Sequence, residues 1–205
     1  MRGVTCEVID TRAPRGHDAP MSIEPYQQAI ATTRSVLTNV RPDQLDDDTP
    51  CQSWKVRDVI NHLIGSQSFF SSAAAGAPPA GPDDPASGDF VSAYDEETSK
   101  AVAALGADGV MTKILTLPFG QMPGAAVAGL AATDTFVHGW DLAKATGQST
   151  DLEPQLAADL LAGARGAISP AFRGADGVAP FGAEQQAPDG ASEADRLAAF
   201  LGRTV

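Results

Sequence analysis

The chain contains three histidines, and two of them lie in apolar, helix-like segments where they could hold a metal ion. His138 follows Asp134 by four residues in the run Asp-Thr-Phe-Val-His. Positions i and i+4 share one face of a helix, so this carboxylate and this imidazole can point at the same ion. His62 lies far upstream in a second apolar segment. Two histidines and one carboxylate leave coordination positions open, which is typical of a catalytic metal site rather than a closed structural one.

Composition narrows the class of protein. A chain of 205 residues with 43% apolar content can bury the core of one domain, with or without an extension. The net charge of -12 and only 14 Lys and Arg residues argue against binding to nucleic acid or to an anionic membrane. No signal peptide and no apolar run of ~20 residues is evident. We therefore expect a soluble, cytoplasmic protein that acts on a small-molecule substrate; whether it forms a homodimer is left open.

Two cysteines occur, Cys6 near the start and Cys51 before the second helical segment. This number is too small for a disulfide framework or a Cys-rich zinc site, so any metal must be held by histidines and carboxylates. Cys51 could be a reactive thiol, because a helix N-terminus favours the thiolate. Thiols at such positions are more often small, partly buried hydrophobes, and Cys51 is not among the expected site residues.

Helical periodicity dominates the rest of the chain. After residues 1–20, which we expect to be a disordered tail, apolar residues recur every three to four positions in five segments, at about residues 22–41, 53–70, 89–105, 123–146 and 153–168. Ser22, Ser53 and Ser192 are the expected N-caps of the first, the second and a final short helix. Residues 76–88 and 174–190 are expected loops, and residues 110–117 allow a short strand.

This pattern predicts an all-α protein built around a four-helix bundle, in which sites are formed by side chains on facing helices. We expect a tail at residues 1–20, the bundle at residues 21–168 and a small C-terminal extension with a short helix at residues 169–205. His62 and the pair formed by Asp134 and His138 would face one another across the bundle.

Three stretches of this sequence also carry a family resemblance. They are Thr-Pro-Cys-Gln-Ser-Trp-Lys-Val-Arg-Asp-Val-Ile-Asn-His-Leu-Ile-Gly (49–65), Asp-Thr-Phe-Val-His-Gly-Trp-Asp-Leu-Ala-Lys-Ala-Thr-Gly (134–147) and Asp-Arg-Leu-Ala-Ala-Phe-Leu-Gly-Arg (195–203). The first two resemble the N-terminal domain of mycothiol-dependent maleylpyruvate isomerase, a group within the DinB-like metalloproteins. The third is similar to the C-terminal signature of an actinobacterial subgroup of metal-binding proteins. Together the resemblance covers residues 22–203.

The resemblance implies a DinB-like up-and-down four-helix bundle that holds a divalent ion, often zinc, through His62, Asp134 and His138. It further implies a metal-activated low-molecular-weight thiol, mycothiol or a similar cosubstrate, used for S-transfer to a small electrophile or for its isomerisation. This sequence differs from that of the isomerase in two features. The isomerase usually has Glu at the position of Asp134, and it has a further C-terminal domain for which this chain has no room.

Alternatives remain at the level of the sequence. The same scaffold could be a non-catalytic metal- or small-molecule-binding protein, or a bundle that has lost its metal. Asp141, three residues after His138, could orient that imidazole, or it could be an ordinary solvent-facing helix residue or a C-terminal contact. Trp54 and Trp140 are expected to be packing residues, because large aromatic side chains dominate core energetics.

Overall fold

The structure is a computed structural model that describes residues 22–78, 83–175 and 178–205. The expected tail at residues 1–20 lies outside the described residues. Six α-helices occur in the described part: α1 (Glu24–Leu37), α2 (Val56–Ala75), α3 (Phe90–Leu105), α4 (Gly124–Ala145), α5 (Pro154–Ala167) and α6 (Glu193–Phe200). Two short antiparallel strands, β1 (Ile114–Leu117) and β2 (Gly120–Pro123), form the sheet between α3 and α4. The prediction of a helical fold is confirmed.

Helix α1 is shorter than the sequence pattern suggested. Its N-cap residue is Ile23 and makes no side-chain capping bond, so the prediction of Ser22 as the cap is wrong. Ser22 does accept a hydrogen bond from the backbone N–H of Glu24, at 3.1 Å. The helix ends at Leu37 rather than near Arg41, and Arg41, which precedes Pro42, is extended.

The N-cap of helix α2 lies two residues after the predicted one. The N-cap is Lys55 rather than Ser53, because the Asp58 carboxylate accepts a hydrogen bond of 2.8 Å from the backbone N–H of Lys55. The last helical residue is Ala75, and Gly76 is the C-cap, with a φ of 69° in the left-handed region. His62 therefore lies in the second turn of a helix that is anchored at both ends.

The connection from α3 to α4 contains the strand that the sequence allowed. β1 occupies the second half of residues 110–117, whereas residues 110–112 form a single 3₁₀ turn. Its partner β2 was not predicted, since Gly-Gln-Met-Pro has no strand-like alternation. Leu115 and Leu117 of β1 are buried and extend the core beyond the helices.

Helix α4 is the central element of the fold. It packs against α1, α2, α5 and α6, and most of its residues are buried. The two helices α1 and α4 are close to each other at Gly139, where an added Cβ would lie 2.3 Å from Oγ1 of Thr33. That hydroxyl donates a hydrogen bond of 2.9 Å to the carbonyl oxygen of Thr135. The absence of a side chain at Gly139 thus sets the distance between the two helices.

The C-terminal segment packs onto the bundle and shares its core. Ser192 caps α6 as predicted, by accepting a hydrogen bond of 3.1 Å from the backbone N–H of Asp195. Leu197 and Leu201 are fully buried in the same hydrophobic cluster as Trp140 of α4. Asp195 also accepts a hydrogen bond of 2.8 Å from Nε1 of Trp140. Among the described residues, no helix has the length and apolarity needed to cross a membrane.

Candidate metal site

The three predicted metal ligands converge. His62 projects from α2, and Asp134 and His138 project from one face of α4. Oδ1 of Asp134 lies 3.2 Å from Nε2 of His62 and 3.6 Å from Nε2 of His138. One potential ligand atom from each residue lies within 4.8 Å of the other two. The packing of α2 against α4 therefore creates a cluster of two imidazoles and one carboxylate.

The donor atoms suit a small divalent ion. With metal–ligand bonds of about 2.1 Å, neighbouring donors around a tetrahedral ion are roughly 3.4 Å apart, and the two measured oxygen–nitrogen separations lie on either side of that value. Within the described residues, Oδ2 of Asp134 is buried and accepts no hydrogen bond. A buried carboxylate oxygen without a donor is costly, and a cation would relieve that cost.

Asp141 holds the imidazole of His138. Its side chain is completely buried, and Oδ2 lies 3.0 Å from Nδ1 of His138. A carboxylate can only accept, so Nδ1 donates to Asp141, and Nε2 is the ring nitrogen that faces Asp134. The solvent-facing interpretation of Asp141 is wrong, and the orienting interpretation agrees with the structure. Metal-binding histidines are commonly held by such a carboxylate.

Arg203 and Cys51 also contact Asp141, and neither was predicted to be a site residue. Arg203 donates from Nε to Oδ1 of Asp141, at 3.3 Å, and from Nη2 to Oδ2, at 3.0 Å. Cys51 lies with its Sγ 3.3 Å from both Oδ2 of Asp141 and Nη2 of Arg203. Both residues belong to stretches that carry the family resemblance, which was the available signal. Because both residues are far from Asp141 in the sequence, no local pattern predicts these contacts.

Opposite charges keep both carboxylates of the site ionised. Burial by itself would raise the pKa of Asp134, but His62 and His138 outweigh it and lower that pKa to about 2. Burial likewise opposes ionisation of Asp141, and Arg203 with His138 holds its pKa well below the usual range. For His62, burial lowers the pKa, whereas Asp134 and Asp141 raise it, and the net shift is upward. Two negative charges are therefore present at neutral pH.

The ligand cluster opens into a cavity of about 560 Å³. Its walls come from residues 50–54, from residues 178–182 and from residues 201–203. The Trp54 ring centroid lies 4.8 Å from that of His62 and 5.5 Å from that of His138, so Trp54 packs directly on the site. Trp140 is fully buried in the core, as predicted. The C-terminal segment therefore forms part of the wall around the three candidate ligands.

A second cluster with metal-binding residue types shares His138 and combines it with Cys51 and Asp141. Arg203 places a guanidinium within 3.3 Å of both the thiol sulfur and the Asp141 carboxylate, which opposes a second cation there. Nδ1 of His138 is also already committed to Asp141. The cluster of His62, Asp134 and His138 has neither obstacle and is the better candidate.

Comparisons with known proteins agree with this architecture. Residues 26–143 match the profile of the family described as mycothiol maleylpyruvate isomerase N-terminal domain. The chain is 43% identical over 182 residues to the uncharacterized proteins Rv0738 and MT0763 of Mycobacterium tuberculosis, a match that covers 88% of this chain and 96% of each relative. No solved structure matches at a significant level. The matched region contains all three candidate ligands, and the chain belongs to the mycothiol maleylpyruvate isomerase N-terminal domain family.

Proposed function

We propose that this protein binds a divalent metal ion, zinc in the first instance, through His62, Asp134 and His138. The observation that carries the proposal is the convergence of these three side chains from two helices, with Oδ1 of Asp134 at 3.2 Å from Nε2 of His62 and 3.6 Å from Nε2 of His138. The donor set of two imidazoles and one carboxylate is characteristic of catalytic zinc sites with an open coordination position. The adjoining cavity gives a ligand access to that position.

We further propose that the site activates a low-molecular-weight thiol, mycothiol or a similar compound, for S-transfer to a small electrophile or for its isomerisation. A bound divalent ion lowers the pKa of a coordinated thiol or water, which supplies a nucleophile near neutral pH. The family description, which names mycothiol, supports the thiol. The cavity volume lies in the range of about 300–1,000 Å³ that is usual for small-molecule sites. We propose the cytoplasm as its compartment, where such thiols are kept reduced.

The residues around the cluster have separate tasks in this proposal. Trp54 covers one side of both imidazoles and limits the access of water. Asp141 keeps His138 in the tautomer whose Nε2 can donate a lone pair. Asp134 supplies negative charge between the imidazoles. None of these tasks requires a proton to move during the reaction.

One observation favours a second candidate, a non-catalytic metal- or small-molecule-binding protein. Among the described residues that line the cavity, the side chains that ordinarily titrate near neutral pH are the two histidines and Cys51. The histidines belong to the proposed ligand set, and Cys51 contacts Asp141 and Arg203 through its sulfur, so a separate general base would have to come from the substrate, the thiol or solvent. A binding protein needs no such group.

Metal analysis of four proteins tests the proposed site. We expect about one zinc per chain in the wild type and in Cys51→Ala, and at least a tenfold weaker zinc affinity in His62→Ala and His138→Ala. Loss of zinc in Cys51→Ala with retention in His62→Ala would place the metal in the cluster of Cys51, His138 and Asp141. A wild-type protein that takes up no added zinc would refute the proposal.

The thiol function requires its own assay. Zinc-loaded protein should accelerate the reaction of mycothiol with an aryl halide or a conjugated ketone, and a chelator or His62→Ala should abolish the acceleration. Cys51→Ala is the matched control, because it alters the cavity wall but none of the three proposed ligands. Zinc binding without acceleration for a panel of electrophiles would favour the binding protein.

A further inference from the structure

Two long stretches of the sequence lack charged side chains, and they meet in the fold. Asp, Glu, Lys and Arg make up 20% of the chain, yet none occurs in residues 59–82 or in residues 114–133. The first stretch contains most of α2, and the second begins with β1 and β2. Because α2 contacts β1, the two stretches adjoin in space. The exposed side chains of residues 63–75 and 114–123 form a surface that we call the uncharged face.

The β-hairpin presents large apolar side chains to solvent on the uncharged face. Ile114 is 56% exposed and Phe119 is 63% exposed. Phe119 stacks on the half-buried Phe69 of α2, with 6.4 Å between the ring centroids. The hairpin and α2 therefore share one apolar surface. A contiguous apolar surface indicates an interaction site, whereas scattered exposed apolar residues do not.

Strand β1 also has an open edge. Next to the hairpin, the backbone N–H of Gly124 donates a hydrogen bond of 2.9 Å to the carbonyl oxygen of Lys113. Because hydrogen-bonded and non-hydrogen-bonded pairs alternate along antiparallel strands, the N–H and C=O groups of Ile114 and Thr116 point away from β2. Both residues are exposed, and neither makes a backbone hydrogen bond to another element of the described chain. Such an edge can pair with one more strand.

We propose that the uncharged face joins two copies of this chain, with β1 of one copy antiparallel to β1 of the other around a two-fold axis at Leu115. The outward groups of Ile114 then pair with those of Thr116 in the second copy, and the two hairpins form one continuous sheet. A two-fold interface must be self-complementary, and an antiparallel strand edge meets that requirement. This assembly does not depend on the proposed metal function.

Charge favours a second copy as the occupant of this surface. Each chain has a net charge of -12, so two copies repel one another where their acidic surfaces meet. Contact through the uncharged face avoids this repulsion, because that surface contributes no carboxylate. Lys113, just before β1, would lie opposite Leu117 of the second copy rather than opposite its own counterpart. Since the apolar surface is small, we expect reversible association rather than a permanent dimer.

Sedimentation velocity over a range of protein concentrations measures the association. We expect the mass of one 21.1-kDa chain in dilute solution and that of two chains at about 100 µM, as for a Kd of ~10 µM. Ile114→Glu places the carboxylates of the two copies diagonally across the axis and should weaken association roughly tenfold or more. Phe172→Glu is the matched control, because Phe172 is 51% exposed on the C-terminal segment and lies outside the uncharged face. It should leave the association unchanged.

Opposite charges test the register of the two strands. Thr116→Lys, like Ile114→Glu, brings two like charges together across the axis, so each variant alone should be monomeric. An equimolar mixture of the two variants places a carboxylate of one copy opposite an ammonium group of the other, and so does the double variant Ile114→Glu/Thr116→Lys. Both samples should regain the mass of two chains. The substituted positions are exposed, and circular dichroism of each variant checks that it folds.

Three results would overturn the proposal: a wild type that stays monomeric at about 100 µM, an equal loss of association in Phe172→Glu, or no recovery in the samples with opposite charges. Phosphatidylcholine vesicles test a lipid surface as the other occupant. Monomeric protein that sediments with these vesicles, and no longer does so after Phe119→Glu, would assign the uncharged face to lipid and refute the pairing of copies. Zinc affinity reports separately on the metal site, because none of the substituted residues is a proposed ligand.

Discussion

Gly139 separates α1 from α4 and lies next to the proposed ligand His138, so we expect Gly139→Ala to destabilise the protein. The new Cβ would lie 2.3 Å from Oγ1, 3.0 Å from Cβ and 3.2 Å from Cα of Thr33. Real Cβ atoms almost never approach closer than 3.0 Å, so either Oγ1 of Thr33 must rotate away or the helices must move apart by roughly 0.7 Å at this point. Rotation leaves the tight contacts with Cβ and Cα of Thr33, and it breaks the hydrogen bond from Oγ1 to the carbonyl oxygen of Thr135.

The net effect follows from two opposing contributions. Overpacking of this kind costs about 1–3 kcal/mol, whereas replacing a helical glycine with alanine contributes about 1 kcal/mol of stability. We therefore expect a net loss of up to about 2 kcal/mol. For a chain of this length, that corresponds to a decrease in Tm of up to about 8 °C. Because α4 also carries His138 and Asp134, zinc affinity should decrease as well.

Gly129 provides the matched control within the same helix. A Cβ added there would meet no atom within 4 Å, so Gly129→Ala should raise Tm by about 2–4 °C through helix propensity alone and leave zinc binding unchanged. Urea and thermal unfolding of the metal-free proteins, followed by circular dichroism, measure both variants. Equal or greater stability of Gly139→Ala relative to Gly129→Ala would refute the close contact between α1 and α4.

Two other predictions concern the site directly. Zinc affinity should fall as the pH is lowered from about 8 to about 6, because the metal competes with protons for the imidazoles. The loss should begin above pH 6.5, since the pKa of His62 is raised from that value. A zinc affinity that stays constant over this range, measured by chelator competition, would contradict the ligand set. Zinc should also change the tryptophan fluorescence through Trp54, which contacts both histidines, so Trp54→Phe should abolish the change and Trp140→Phe should retain it. A zinc response that depends on Trp140 instead would place the metal elsewhere.

Local periodicity was sufficient to predict the helices, whereas the three candidate ligands also depended on residue type, spacing and the family resemblance. Asp134 and His138 share a helix face by spacing alone, and the apolar pattern around His62 indicates a second buried helix. The errors lie at helix ends. Ser53 has the residue type of an N-cap, but Asp58 offers a better placed acceptor three residues after Lys55. The path of the backbone before the helix decides which of two neighbouring residues is the N-cap. A local sequence pattern does not contain that information.

The contacts of Arg203 and Cys51 could not be predicted in this way. They lie 62 and 90 residues from Asp141, and their meeting depends on how the segment after α5 returns across the bundle. Gly182 and Gly202 allow that return, since a Cβ on Gly202 would lie 2.6 Å from Cα of Gly182. Periodicity within one helix carries no information about a contact of this kind.

An aspartate at position 134 is compatible with the proposed site. Although it is one methylene shorter than a glutamate, its Oδ1 lies within 3.6 Å of Nε2 of both His62 and His138. The C-terminal segment contributes residues 178–180, Gly182 and residues 201–203 to the wall of the cavity. Asp134 and Asp141 together balance a divalent ion, and Arg203 adds one positive charge. An anion such as a thiolate is therefore the ligand that this cavity would attract once the metal is bound.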